Sequence, residues 1–172
     1  MILRALKYYF SICGCISTDS ADVDTTPMRD VNWDAYMGRW YEWARFETPF
    51  EYGLDHVYAE YKQQKDGTVS VTNYGTDEKG RQYKAHAVGK IAGNGTLSIS
   101  FIPILHFPSS LYRVLYVDDS YSYALVSDKK GTCLWFLGRN PYGTKEAFSV
   151  LKNEAEARGF RTEDLRFTRQ GS

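Results

Sequence analysis

Apolar and polar residues alternate along much of this chain. Leu97, Ile99 and Phe101 are separated by Ser98 and Ser100, and Val69 and Val71 by Ser70. Val57, Ala59 and Tyr61 share one parity against Tyr58, Glu60 and Lys62. A period of two places successive side chains on opposite faces of a strand, so these runs predict strands with one apolar and one wet face. Turn chemistry separates the runs: Asp66-Gly67, the stretch from Thr76 to Gly80, Asn94-Gly95, Phe107 to Ser110, Asp118 to Ser120, and Lys129 to Gly131. Asp-Gly and Asn-Gly supply the positive φ that tight hairpins need. Asn94-Gly95-Thr96 also spells a glycosylation sequon, but turn chemistry explains it better. Strands joined to near neighbours in this way form an antiparallel meander, and closure into a barrel removes its edges.

Three runs break the alternation. Tyr41 to Phe46, Tyr123 to Val126 and Cys133 to Leu137 are apolar on both faces, so something must cover their outer side. A helix after the last of these strands supplies the cover. Thr144 is its N-cap, Glu146 lies in its first turn and Gly159 stops it. Phe148, Leu151 and Ala155 fall at i, i+3 and i+7, a single apolar stripe. Trp43, Leu125, Leu134 and Phe136 are the residues expected beneath it. Leu165 and Phe167 then form one more short strand, from Asp164 to Thr168. The predicted fold is all-β, a strand barrel with one late helix on its flank.

Composition narrows the function. In 172 residues, 21 Lys and Arg balance 21 Asp and Glu, which excludes a nucleic-acid binder that works by neutralising phosphates. No apolar run reaches the roughly 18 residues of a spanning helix. Aromatic residues make up 16%, with 14 Tyr, 9 Phe and 4 Trp, in keeping with strands. No ligand cluster surrounds His56, His86 or His106, so neither a metal nor a cofactor is expected.

The first residues differ from the rest. Met1 to Lys7 carries two positive charges, Tyr8 to Ile12 is short and apolar, and Cys13-Gly14-Cys15 follows. This resembles a secretory signal ending in a bacterial lipobox with Cys15 as the lipidated residue; an unstructured N-terminal extension is the alternative. The predicted organisation is a leader over 1–15, a polar linker over 16–30 and one domain over 31–172. With cleavage before Cys15 no intramolecular disulfide is expected in the mature protein, and Cys133 reads as a buried, inert thiol in an apolar strand.

The run Gly38-Arg39-Trp40-Tyr41-Glu42-Trp43-Ala44-Arg45-Phe46 resembles the first motif of the lipocalin family, in wording nearest to its bacterial outer-membrane branch and to apolipoprotein D. Val114 to Val126 is similar to the second motif, although Asp118-Asp119-Ser120 stands where Thr-Asp-Tyr is usual. Leu134 to Pro141 is similar to the third, whose signature is an arginine ending the eighth strand, here Arg139. The resemblance covers Val31 to Phe167 and implies an eight-stranded antiparallel up-and-down barrel with one C-terminal α-helix outside it. It also places Trp40 and Arg139 together at the closed end, where a guanidinium over an indole gains about 0.5–2 kcal/mol. Gly38, Trp40 and Arg139 thus close the barrel and are not assigned to ligand contact.

An eight-stranded barrel is just wide enough for one small ligand. Alternation points Ala44, Phe46, Val57, Ala59, Tyr61, Val71, Asn73, Ala87, Ile99, Phe101, Val126 and Trp135 inward as the ligand-binding set, with Val69, Ala85, Leu97, Ala124 and Leu137 on the same faces. From Tyr112 to Val117 either parity is plausible. Such side chains either fill the barrel or line a cavity, and the inward alanines favour a cavity. Glu42 shares the inward parity and needs a partner if buried, a Tyr hydroxyl or Arg113. The Glu47 to Gly53 loop and Ile102 to Pro108, with Phe50, Tyr52, Ile104, Leu105 and Phe107, ring the mouth. The resemblance implies a fatty acid or lysophospholipid as ligand and a lipid anchor at Cys15 in the bacterial outer membrane, facing the periplasm, with monomer and homodimer both open. Apolar inward faces support the ligand class independently. The competing function is an enzyme on the same scaffold acting on a lipid through Cys133, which lacks an identifiable activating base.

Overall fold

The computed structural model describes residues 23–49, 51–100 and 110–171. The leader with Cys13 and Cys15, Phe50, Phe101 and the loop Ile102 to Pro108 lie outside the described residues. A single helical turn, α1 (Trp33–Tyr36), precedes strands β1 (Gly38–Phe46), β2 (Asp55–Gln63), β3 (Val69–Thr76), β4 (Gln82–Ile91), β5 (Thr96–Ser100), β6 (Ser110–Val117), β7 (Tyr123–Asp128) and β8 (Leu134–Gly138). Helix α2 (Lys145–Ala157) and β9 (Leu165–Phe167) follow. From β1 to β8 each strand pairs antiparallel with the next, and β8 pairs back with β1, which also pairs with β2. The sheet therefore closes into the antiparallel barrel, with β9 added as an extra strand.

Register shifts interrupt β1, β2 (between Asp55 and Tyr58) and β6, and those in β1 and β6 change which side chains face inward. In β1, Glu42 opposes Leu137 while Ala44 opposes Phe136, which makes Trp43 the extra residue. Trp40 packs in the barrel core, but Trp43, Ala44 and Phe46 join the cluster outside it. The inward assignment of Ala44 and Phe46 is therefore corrected: one inserted residue turns the parity over, and Arg45 takes the inner side. In β6, Val114 opposes Val126 and Tyr116 opposes Leu125, leaving Leu115 extra. Tyr112 and Val114 face inward before it and Val117 after it, while Leu115 and Tyr116 face out. Each of the two parities open in the sequence holds for one part of the strand.

Outside the barrel, Leu125, Leu134, Phe136 and Trp43 form one cluster with Ala147, Leu151 and Ala155 of α2. The helix begins where Thr144 Oγ1 accepts from Ala147 N at 3.2 Å, and Gly159 follows it at φ 88°. Trp43 donates from Nε1 to Asn140 O at 2.9 Å. Its indole lies flat against the backbone of Gly138, with no room for a Cβ there.

Beyond Tyr41 the strands β1 and β2 part, and the C-terminal segment fills the gap. β9 pairs with Ala44 to Phe46, Thr168 N donates to Trp43 O at 3.0 Å and His56 N to Arg169 O at 2.7 Å. The Gln170 amide donates to Glu42 O and Val57 O, both at 2.7 Å, bridging the separated strands. Part of the stretch read as a linker also packs on the barrel. Met28 N donates to Val114 O and Gly95 N to Met28 O, each at 2.8 Å. A Cβ at Gly95 would stand 2.8 Å from Val114 O.

The packing of Trp43 on Gly138 yields a direct test. Replacing Gly138 with Ala forces the indole to move and is expected to lower stability by about 1–3 kcal/mol. In thermal unfolding this reads as a Tm lower by roughly 2–12 °C; an unchanged Tm refutes the packing.

Candidate ligand-binding interior

The closed end is built as the motif residues suggest. Arg139 Cζ lies 3.9 Å from the centroid of the Trp40 ring. Its nitrogens donate to Ala35 O at 2.7 Å, Arg39 O at 2.9 Å and Tyr121 O at 3.2 Å. Gly38 has φ 98°, and a Cβ there would lie 3.2 Å from Arg139 Nη1. In the variant second motif, Asp118 accepts from Ser122 N at 2.6 Å, Tyr123 N at 2.8 Å and Ser120 N at 3.1 Å. Partial burial raises its carboxyl, but these bonds outweigh that and hold it below the usual range. One short side chain thus organises a loop whose wording departs from the family's.

Above this floor the walls are apolar. Val69, Val71, Ala87, Leu97, Ile99, Val114, Ala124, Val126 and Leu137 pack as one buried cluster, joined by Tyr36, Tyr61 and Tyr112. Tyr36 is a functional candidate that the strand pattern missed, because α1 is a single turn with no strand period. Its local signal is Asn32, whose side chain accepts from Ala35 N at 3.2 Å and caps the turn. Tyr36 O accepts from Trp40 Nε1 at 2.8 Å, which ties the floor to the cluster.

Towards the mouth, inward side chains become accessible. Val57 is buried, while Ala59 and Trp135 are only partly buried against the core. Asn73 pairs with Ala59 on one side and Ala85 on the other, is itself half-buried, and Ala85 is exposed. Of the predicted lining, Val57, Ala59, Tyr61, Val71, Asn73, Ala87, Ile99, Val126 and Trp135 lie on the inner faces.

The bulge brings a charged group into the upper wall. Arg45 is fully buried and its Nη1 donates to Glu42 at 2.5 Å and to Thr168 Oγ1 at 3.3 Å. Its Nη2 donates to Glu51 O at 2.7 Å, Glu47 Oε1 at 2.8 Å and Leu54 O at 3.2 Å. One guanidinium therefore ties the loop between β1 and β2 to the wall beneath it. Arg45 and Thr168 are the partners of Glu42; Arg113 lies on another face and donates to Thr25. Burial pushes the Glu42 carboxyl up, against the opposing pull of Arg45 and Thr168. Glu51 accepts from Trp135 Nε1 at 3.1 Å and Thr48 Oγ1 at 3.3 Å. Although the residue keeps some exposure, burial and the Glu42 charge push its carboxyl up to about 8.

Cys133 is buried at the turn before β8, its sulfur 3.9 Å from Thr132 Oγ1. His86 Nδ1 bonds Thr72 Oγ1 at 3.2 Å in a separate place. Among the described residues no three His, Cys, Asp or Glu side chains gather as a metal site.

The raised Glu51 carboxyl sets a pH signature. Its folded value lies above the unfolded one, so the native protein binds the extra proton, and stability falls as pH rises through about 8. Relative to the wild type, Glu51→Gln should gain stability between pH 6 and pH 9. An offset between the two unfolding curves that stays constant over that range contradicts the assignment.

The lipocalin-like domain family matches residues 31–170. Outer membrane lipoprotein Blc of Vibrio cholerae is 33% identical over 163 residues, covering 91% of each chain. Apolipoprotein D of Mus musculus is 28% identical over 163 residues, covering 86% of this chain and 82% of the relative. Among solved structures, insecticyanin from the tobacco hornworm Manduca sexta superposes with a TM-score of 0.72 at 18% identity, over 87% of this chain and 86% of that one. At that identity the likeness speaks for the fold alone. Barrel, floor and family match agree: this chain belongs to the lipocalin-like family, whose barrels take small hydrophobic ligands.

Proposed function

We propose that the barrel binds and stores or transports one single-chain lipid, a fatty acid or a lysophospholipid. The observation that carries this reading is the gradient of exposure along the inner face. Val71 and Ala87 are closed off, whereas Ala59, Asn73 and Trp135 on the same inner side keep accessible surface. Inward side chains stay accessible only where the interior holds open space connected to the mouth. Apolar walls of this kind suit an acyl chain, whose burial gains about 0.8 kcal/mol per CH₂. Small alanines leave width and aromatic rings bound it at low entropic cost.

The address follows from the leader and the relatives. Cys15 stands in a lipobox-like context, and the bacterial relatives are named outer membrane lipoproteins. We read the chain as a binder tethered through a lipidated Cys15 to the outer membrane and facing the periplasm, and not as an enzyme.

Native mass spectrometry of delipidated protein after exposure to palmitic acid or lysophosphatidylcholine tests the ligand. Bound lipid at micromolar concentration is the expected result, and its absence overturns the reading. Ala59→Trp and Asn73→Trp place a ring in the accessible part of the interior and should each abolish binding with the barrel intact by circular dichroism. Binding that survives both changes means the lipid lies elsewhere. For the tether, radiolabelled palmitate should enter the wild type and not Cys15→Ala; label in both removes Cys15 as the anchor.

A further inference from the structure

The buried tyrosines hold more hydrogens than acceptors. Tyr61 Oη donates to Tyr112 Oη at 3.2 Å, and the Oη atoms of Tyr36 and Tyr112 are 2.6 Å apart. A phenol carries one hydrogen. Tyr61 uses its own on Tyr112, and a single hydrogen serves the contact between Tyr36 and Tyr112. The remaining hydrogen, on whichever of those two oxygens does not donate, has no acceptor among the described residues. All three side chains are at least nine-tenths buried, Tyr36 at 0% exposure, Tyr61 at 5% and Tyr112 at 9%. An unmet donor in such a place is costly, and it calls for a bound group.

The upper wall offers an incoming anion the opposite chemistry. Both Nη atoms of Arg45 are engaged by Glu42, Thr168, Glu47 and two backbone carbonyls. The acids Glu42, Glu47 and Glu51 line that level, and Arg166 is held against Glu47 and Asp55. A carboxylate halted at that level meets these acids and an arginine of which only Nε is unbonded, whereas at the tyrosines it meets hydroxyls.

We infer that the tyrosine cluster, closed in this structure, opens as the inner end of the ligand site and there receives an oxygen of the ligand. A fatty acid or fatty alcohol then lies with its small oxygen-bearing end on Tyr36 and Tyr112 and its tail towards the mouth. Burial holds Tyr36 and Tyr112 well above the ordinary phenol value and Tyr61 at about 12, so all three remain protonated donors. The inference rests on the interior being a lipid site and selects within that reading. A lysophospholipid carries a head group too bulky for the cluster and inserts tail first, without using the spare hydrogen.

The test compares palmitic acid, 1-hexadecanol and palmitoyl lysophosphatidylcholine on the full barrel by displacement of a fluorescent fatty-acid probe. In the triple variant Tyr36→Phe/Tyr61→Phe/Tyr112→Phe all three hydroxyls are removed and the rings kept, so Tyr61, whose acceptor is Tyr112, cannot supply the donor instead. Palmitic acid and hexadecanol should lose about tenfold in affinity, the size of one buried hydrogen bond. Lysophosphatidylcholine should change less than about twofold. An equal change for all three ligands, or none for any, overturns the inference. A second measurement uses the wild type and does not depend on the variant folding. Anomalous scattering should place the bromine of 2-bromopalmitate beside Tyr112 and that of 16-bromopalmitate beside Trp135. The reverse placement defeats the head-inward orientation while lipid binding stands. If no ligand binds the wild type at all, the lipid reading itself fails.

Discussion

One extra residue in the first strand organises most of this protein. Because Trp43 is bulged, β1 presents Trp40 to the barrel floor, then Trp43 and Ala44 to the helix, then Arg45 to the inner upper wall. A regular strand sends every second side chain to one face along its whole length and serves only one environment per face. The bulge bends β1 and lets it part from β2, and that gap admits β9 and the bridging amide of Gln170. Helix, floor, upper wall and C-terminal segment thus all depend on the same local irregularity. Gly138 is its complement, since only a residue without a Cβ leaves room for the displaced indole.

The interior is graded from floor to mouth. A cation on an aromatic ring, with every guanidinium nitrogen bonded to a backbone carbonyl, seals the bottom. Above it stand tyrosine hydroxyls in an apolar wall, a donor-rich zone in a place of low dielectric. Higher still, carboxyl groups surround the Arg45 guanidinium, whose two Nη atoms are bonded and whose Nε is not. On the proposed reading, such an interior distinguishes ligands by where their polar atoms sit, and the apolar wall contributes affinity without regard to that. The loop between β1 and β2 is held from inside by Arg45, and Glu51 on that loop is bonded in turn to Trp135 of the wall.

Much of this was legible in the chain. The alternation in β3, β5 and the later part of β2 put Val71, Ile99, Ala59 and Tyr61 on the inner face, where they are found. Runs apolar on both sides called for a cover, and the stripe of Leu151 and Ala155 provides it. The motif residues Gly38, Trp40 and Arg139 stand at the closed end. The misplaced residues, Ala44 and Phe46, are the ones just past a bulge. A bulge has no reliable composition, and Trp43 looks like any other aromatic strand residue. Tyr36 was missed for a related reason, since one helical turn is too short for a period of 3.6 to register.

The sequence by itself determined the strands and the flanking helix, because periodicity, turn residues and caps are local and each acts within a few positions; the pairing of Trp40 with Arg139 at the floor came from the resemblance of the motif residues to the lipocalins. Only the tertiary structure decided the phase of β1 and β6 beyond their bulges, the partner of Glu42, and the meeting of Tyr36, Tyr61 and Tyr112. Those contacts join residues distant in the chain; Arg45 with Thr168 and Tyr36 with Tyr112 become neighbours only when the sheet closes. Where a buried charge or hydroxyl finds its partner is set by that closure, since inside the barrel each polar group bonds to whatever the opposite wall brings within reach.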